Sequence, residues 1–358
     1  MKPFENLRVV ELASVLAGPL AGSFFAEGGA DVIKVEHPQF GDVTRSWRTK
    51  GETQDSEISA YYAAANTYKK IVKLNLATKE GRAELSELLK STDILLQNFK
   101  KSDLDKFNLQ PEYIAAKYPE LVHVRLVGFS DAQHRLAYDV VVQAETGFMH
   151  MNGAPDGPPT RMPVALMDVL ASDQIRSAVL TGLFRVAKGT RGYYAEVSLE
   201  KSGLSALVNQ STNYLMNGTV PQRRGSSHPN IAPYGDLLLL NDRYIVLAVG
   251  SDKQFKSLCE IIGNESLITD PRFVDNKSRV EHREDLINEL QKSTSGLNAE
   301  ALSAEFNIKG VPAGLVKRLD EVFADGTSAI QHLIEEPCSQ RKVIKPSVTA
   351  YSISVFGK

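Results

Sequence analysis

Asp168 lies inside PVALMDVLASDQ (163–174), a stretch otherwise built of Ala, Leu, Met and Val. An ionised carboxylate is costly to bury alone, so its neighbours must either cap it or use it. Asp is a favoured N-cap, and Asp168 could cap a helix that begins at Val169. If the helix begins earlier, Asp168 shares a stripe with Ala165, Ala171, Ser172 and Ile175, the buried face. Small residues then leave room beside the carboxylate. The two roles are compatible. Backbone amides and the helix dipole at an N-terminus favour the ionised form, which suits a nucleophile better than a proton donor. Asp173, near Arg176 and Ser177 at helical spacing, reads as a solvated face residue.

Other chemistries find little support. The histidines (37, 123, 134, 150, 228, 282 and 332) form no pair at metal-ligand spacing, so no metal site is expected. No G-x-S-x-G elbow is present. Cys259 and Cys338 lie far apart and read as buried or idle thiols. Lys69-Lys70, Lys100-Lys101 and Lys106 sit near the ends of expected strands. They are either solvated or placed for a ligand with several phosphates, since the strand ends of α/β sheets are where ligands bind.

Strand and helix alternate through the part of the chain that carries these residues. LRVVEL (7–12) is a short apolar strand, GPLAGSFFAEGGA (18–30) a helix opened by Pro19 and closed by Gly28-Gly29, and DVIKVEH (31–37) a second strand. That is a β-α-β unit. Further strands are expected at KKIVKLNL (69–76), DILLQNF (93–99), ELVHVRLVGF (120–129) and YYAEVSL (193–199). Helices are expected at 78–92, at EYIAAKYP and at 170–189. The pattern predicts a doubly wound parallel α/β domain. The turn after the first strand lacks G-x-G-x-x-G, so nicotinamide chemistry is not expected. After about residue 200 the texture changes. TVPQRRGSSHPNIAPYG (219–235) reads as a loop or linker, and RYIVLAVG, SDKQFKSLCEIIG and GVPAGLV suggest a smaller lobe.

The totals agree with an ordinary globular protein. The chain has 358 residues, 42% hydrophobic and 23% charged, with a net charge of −2. That leaves no basic field for nucleic acid or an anionic membrane. LASVLAGPLAGSFFA (12–26) falls short of the roughly 18 apolar residues of a membrane helix. Glu5 and Glu11 argue against a signal peptide, so a cytoplasmic location is expected.

Taken together the segments resemble the class III CoA-transferases, the CaiB/BaiF-like family. The matching stretches include VVELASVLAGPLAGSFFAEGGADVIKVEHPQFGDVTRSW (9–47), NTYKKIVKLNLATKEGRAEL (66–85), DILLQNFKKSDLDKF (93–107), YDVVVQAETGFM (138–149), ALMDVLASDQ and RRGSSHPNIAPYGDL (223–237). The resemblance implies an α/β fold: a Rossmann-like large domain with a smaller α+β domain, in an interlocked homodimer. Residues 1–200 would form the large CoA-binding domain, 201–225 a linker, 226–318 the small domain and 319–358 a segment returning to the large domain. It implies Asp168 as nucleophile and CoA contacts at Val15, Leu16, Ala17, Leu74, Asn98 and Lys106. His37 stands where a relative has a nucleotide-binding arginine. Leu136 stands for an active-site lysine, with Arg135 beside it as a substitute, and Leu16 replaces a glutamine. A glycine-rich loop of that relative is not recognisable in RRGSSHPNIAPYG. These departures argue against oxalate as acceptor.

Tyr138 precedes Asp139 where the racemases of the family need a histidine base. The implied activity is CoA transfer from an acyl-CoA to a small carboxylic acid, through mixed anhydrides and an aspartyl-CoA thioester, with no tightly bound cofactor. A racemase-like epimerase and a CoA-binding paralogue with altered catalysis are the alternatives.

Overall fold

A computed structural model describes residues 2–53, 56–131, 135–241, 243–337 and 342–354. His134 and Cys338 lie outside the described residues. Contacts divide the chain into two compact units. One comprises residues 1–148, 161–219 and 328–358, and the other 149–160 and 220–327.

In the first unit, strands β1 (Arg8–Leu12), β2 (Asp31–Glu36), β3 (Lys70–Lys73), β4 (Ile94–Gln97), β5 (Val122–Val127) and β6 (Tyr193–Ser198) form one sheet. Its order is β3-β2-β1-β4-β5-β6, and every pairing is parallel. The connections are α1 (Ala17–Glu27), α2 (Ala60–Ala65), α3 (Lys79–Leu89), α4 (Lys101–Phe107), α5 (Pro111–Lys117), α6 (Asp139–Glu145), α7 (Phe148–Met151) and α8 (Leu166–Ala187). This order places a topological switch between β1 and β4, the place where open α/β sheets form a ligand crevice. The sheet is covered on both faces. Val9, Phe25, Ile94, Val124, Ala171 and Val179 belong to one core, and Val10, Leu85, Leu95, Leu104 and Ile114 to the other. β4 and β5 are buried along their whole length, as strands covered on both faces must be.

The expected linker, 201–225, is a correction. Most of its first half is helical: α9 (Leu199–Ser205) is followed by α10 (Val208–Asn217), closed by Gly218 at φ 70°. Ser198 caps α9, accepting from the Lys201 N–H at 3.3 Å. Polar residues such as Asn209, Gln210 and Ser211 hid the helical period of this stretch.

The second unit holds an antiparallel sheet, β7 (Tyr234–Leu240), β8 (Arg243–Ala248) and β9 (Ala313–Leu315). It packs with α11 (Asp252–Ile261), α12 (Ser266–Thr269), α13 (Asn276–Glu281), α14 (Arg283–Thr294), α15 (Ala299–Ile308) and α16 (Leu319–Val322). Leu238, Ile245, Leu258, Cys259, Phe273, Leu286 and Phe306 make its core. Cys259 is a buried free thiol, pushed up to about 12 by burial.

The chain ends in a hairpin, β10 (Leu333–Pro337) and β11 (Lys342–Pro346), which belongs to the first unit. There the Lys345 ammonium pairs with Glu27 at 2.7 Å, and Ser347 Oγ and the Val348 N–H donate to the other Glu27 oxygen. Among the described residues, no helix is long and apolar enough to cross a membrane.

Candidate active site

α8 begins at Leu166, so Asp168 sits in its first turn and is not its N-cap, which is Ala165. The earlier-starting helix is the right reading of the two. Capping is done from elsewhere: Asp139, the first residue of α6, accepts the Met167 N–H at 2.7 Å on Oδ1 and the Gln143 amide at 2.6 Å on Oδ2. Asp168 is thereby free of a cap role. Asp168 is only 8% exposed, beside the fully buried Ala171 and Ser172. The backbone N–H of Ala17, the first residue of α1, acts on it in favour of the ionised form.

One expectation fails here. A helix start was expected to hold Asp168 ionised. Burial, together with the nearby Asp139 carboxylate, instead raises its pKa to about 7, against the opposing pull of the Ala17 N–H. Desolvation and a like charge outweigh one hydrogen bond. Tyr61 faces the same cluster. Burial and the charges of Asp168, Asp139 and Asp42 push its phenol upward, and its ring packs edge-on against Trp47 at 5.0 Å.

The loop that delivers Ala17 leaves β1 at Leu12 and is clamped residue by residue. Lys34 donates to the Ala13 carbonyl at 2.7 Å. Asn98 accepts the Ser14 N–H at 3.2 Å and donates to the Ser14 carbonyl at 3.0 Å, a bridge across the switch point. Asp42 faces the Val15 N–H at 3.3 Å. Val15 has φ 74°, a conformation that costs a β-branched residue on the order of 1–3 kcal/mol.

Beneath the loop runs a buried chain of alternating charge. Lys69 contacts Glu11 at 2.7 Å, Glu11 contacts Lys34 at 2.9 Å, and Lys34 contacts Asp42 at 3.0 Å, every side chain at most 1% exposed. Two cations meet two carboxylates, which is what makes their burial tolerable. Burial would raise the Asp42 carboxyl, but Lys34 and the Thr44 N–H and hydroxyl hold it below the usual range. Lys69 was expected to be solvated or to face a ligand; it lies in the interior, and only Lys70 is exposed, paired with Asp31.

Beside the loop, at the carboxyl ends of β1 to β4, opens a cleft of ≈ 460 Å³. His37, Leu74, Asn98, Lys100 and Lys106 are among its lining residues. Leu74 is buried, and the half-buried His37 stacks on the exposed Phe40 at 4.6 Å. The geometry therefore gathers a basic, partly aromatic cleft beside a strained loop. The helix that follows this loop, α1, packs on the α8 that carries the buried Asp168.

A family model described as CoA-transferase family III matches residues 4–348. The succinate–glutarate CoA-transferase of Agrobacterium fabrum is 37% identical over 329 residues, 90% of this chain and 82% of that protein. The chain belongs to CoA-transferase family III. The acetyl-CoA:oxalate CoA-transferase of Acetobacter aceti is 33% identical, covering 87% of this chain and 80% of its own length. The crystal structure of a CAIB/BAIF family protein from Brucella suis superposes with a TM-score of 0.84 at 35% identity, over 99% of this chain and 93% of that one. The protein is a CoA-transferase, which moves CoA between an acyl-CoA and a carboxylic acid.

Within this CoA-transferase the site residues expected from sequence fall in three places. His37, Leu74, Asn98 and Lys106 line the cleft. Val15, Leu16 and Ala17 form the loop between cleft and Asp168, with Leu16 as the N-cap of α1. Arg135 and Tyr138 are not among the cleft's lining residues. The exposed Arg135 pairs with Glu145 at 2.5 Å and lies over the Phe129 ring. Tyr138 is the exposed N-cap of α6. In the second unit, the stretch standing for the glycine-rich loop is pinned by Arg283, which donates to the His228 and Ile231 carbonyls and to Asp236, each at 2.5 Å.

Sequence reasoning missed Asp139, Tyr61, Asp42, Lys34 and Glu11 as members of the site. Only Asp139 carried a signal, as the residue after the position where a racemase base would stand. The others are brought together by pairings between distant segments.

Proposed function

We propose that Asp168 carries CoA covalently between donor and acceptor. An Asp168 oxygen attacks the carbonyl carbon of the donor thioester, the C–S bond breaks, and CoA leaves as thiolate. The thiolate attacks the aspartyl carbon of the mixed anhydride, releasing the donor carboxylate and leaving an aspartyl-CoA thioester. The acceptor carboxylate attacks that thioester, forming a second anhydride and freeing the thiolate. The thiolate then attacks the acceptor's acyl carbon, and Asp168 leaves as carboxylate.

The observation that carries this reading is Asp168 itself: buried, relieved of capping by Asp139, and under the pull of the Ala17 N–H at the start of α1. That N–H is placed to hydrogen-bond the developing oxyanion, an interaction typically worth about 3 kcal/mol. The cleft fits a nucleotide, with Lys100 and Lys106 for phosphates and His37 for a flat ring. A carboxylate is a weak nucleophile. Holding CoA in place can contribute about 7–11 kcal/mol, and the apolar neighbours of Asp168 keep water from both anhydride and thioester.

We assign the acceptor to small dicarboxylic acids, on the likeness to the succinate–glutarate enzyme of Agrobacterium fabrum. The working form is an interlocked homodimer, supported by the uncovered Val208, Leu215 and Met216 of α10, each at least 66% exposed. Incubation with succinyl-CoA followed by hydroxylamine or borohydride should mark the Asp168 peptide by mass spectrometry. An unmodified peptide under turnover rules out the covalent route.

A further inference from the structure

We infer that Asp42 is a positioning residue: it holds Val15 in its left-handed conformation and so aims the Ala17 N–H at Asp168. The inference rests on the proposed role of Asp168 and adds a residue that touches neither Asp168 nor the reacting carbonyl in that mechanism.

Val15 is the residue to explain. A β-branched side chain at φ 74° has no local reason to stay there. The alternative, relaxation to negative φ, would swing Leu16 and Ala17 as a body, because Ala17 opens the rigid α1. What opposes relaxation is the Asp42 carboxylate facing the Val15 N–H, at 3.3 Å from Oδ2 and 3.5 Å from Oδ1. Asp42 is itself fixed from three sides. Lys34 Nζ lies 3.0 Å from Oδ2, and the Thr44 N–H and hydroxyl donate to Oδ1 at 3.0 and 2.7 Å. Lys34 is in turn bound to Glu11 and to the Ala13 carbonyl in the same loop. The clamp is therefore continuous from β1 and β2 to the loop, with no exposed member for solvent to loosen.

The function follows from where the loop ends. Ser14 is tied to Asn98 on the cleft side, and on the chemistry side Ala17 opens α1, which packs on the α8 that carries Asp168. The strained residue is between them. Asp42 also lines the cleft, but Asn98 holds the cleft end of the loop, so loss of the clamp should act on turnover more than on acyl-CoA affinity.

Glycine adopts positive φ at no steric cost, which gives a specific rescue. Asp42→Ala should lower the single-turnover rate of Asp168 labelling by succinyl-CoA about 10- to 100-fold, with the CoA dissociation constant changed less than about threefold. Complete removal of one oxyanion donor costs about 100- to 1000-fold, and displacing it costs less. Val15→Gly is measured as its own reference, and adding it to Asp42→Ala should recover most of the loss relative to that reference. Thr44→Val removes the hydroxyl donor to Oδ1 and serves if Asp42→Ala does not fold; it should show a smaller loss with the same split. Equal labelling rates in wild type and variants overturn the clamp and leave Asp168 standing as nucleophile. So does a weakened CoA affinity at unchanged rate, or a loss that Val15→Gly fails to rescue. No Asp168 adduct in the wild type overturns the mechanism and the clamp with it.

Discussion

At Asp168, burial and Asp139 together bring the carboxyl up to about 7, so protonated and ionised forms coexist near neutrality. The attacking form is the ionised one. kcat/KM should therefore rise with pH, about tenfold per unit below a midpoint near 7, and level off above it. Asp139→Asn keeps an oxygen for the Met167 N–H but removes a like charge, and should move that midpoint down by on the order of a unit. An unmoved midpoint would assign it to another group. The same shift bears on stability. A folded-state pKa raised above the ordinary 3.8 contributes stability that is fully present below pH 3.8 and lost as pH rises through 7. Asp168→Asn should thus abolish transfer and yet raise the melting temperature at pH 8, where the buried charge costs on the order of a few kcal/mol. The gain should shrink toward pH 5. Thermal scans at both pH values check it, and the direction is the usual one when an active-site group is held against its own solvation.

At the level of elements, much was legible. Apolar runs gave β4 and β5, Pro19 and Gly28 bracketed α1, and Leu85, Leu88 and Leu89 marked α3. Each of those signals is local. The start of α8 was not settled, because its capping acceptor is Asp139, 28 positions upstream. β2 was recognised as a strand, but its buried face is Val32, Lys34 and Glu36. No pattern of apolar residues announces a face whose charges are satisfied by Glu11, Asp42 and Arg45. Asn98 was expected from resemblance as a CoA contact, and the structure gives it a second task in tying Ser14 across the switch point. Asn98→Ala removes both bonds and should cost about 1–2 kcal/mol of stability, with a weakened CoA affinity measurable by titration calorimetry. A variant with wild-type stability and affinity would show that the bridge has no such role.

For the molecule as a whole, the division of the chain was legible only in outline. The change of texture near residue 200 marked the approach to the second unit, but 149–160 joins that unit too, and the Gly and Pro of NGAPDGPP signal a loop without saying which unit it joins. The proposed homodimer gives light scattering at twice 39.3 kDa, and Leu215→Glu on α10 should shift the population toward monomer. A monomeric wild type would remove the interlocked assembly.

The returning hairpin has its own consequence. All six strands of the parallel sheet precede residue 199, yet Glu27 on α1 finds Lys345, Ser347 and Val348 only at the far end of the chain. During synthesis the ribosome releases that sheet long before the segment that covers Glu27. A nascent chain must therefore keep this carboxylate hydrated until residues 345–348 have emerged, some 320 positions after Glu27 itself.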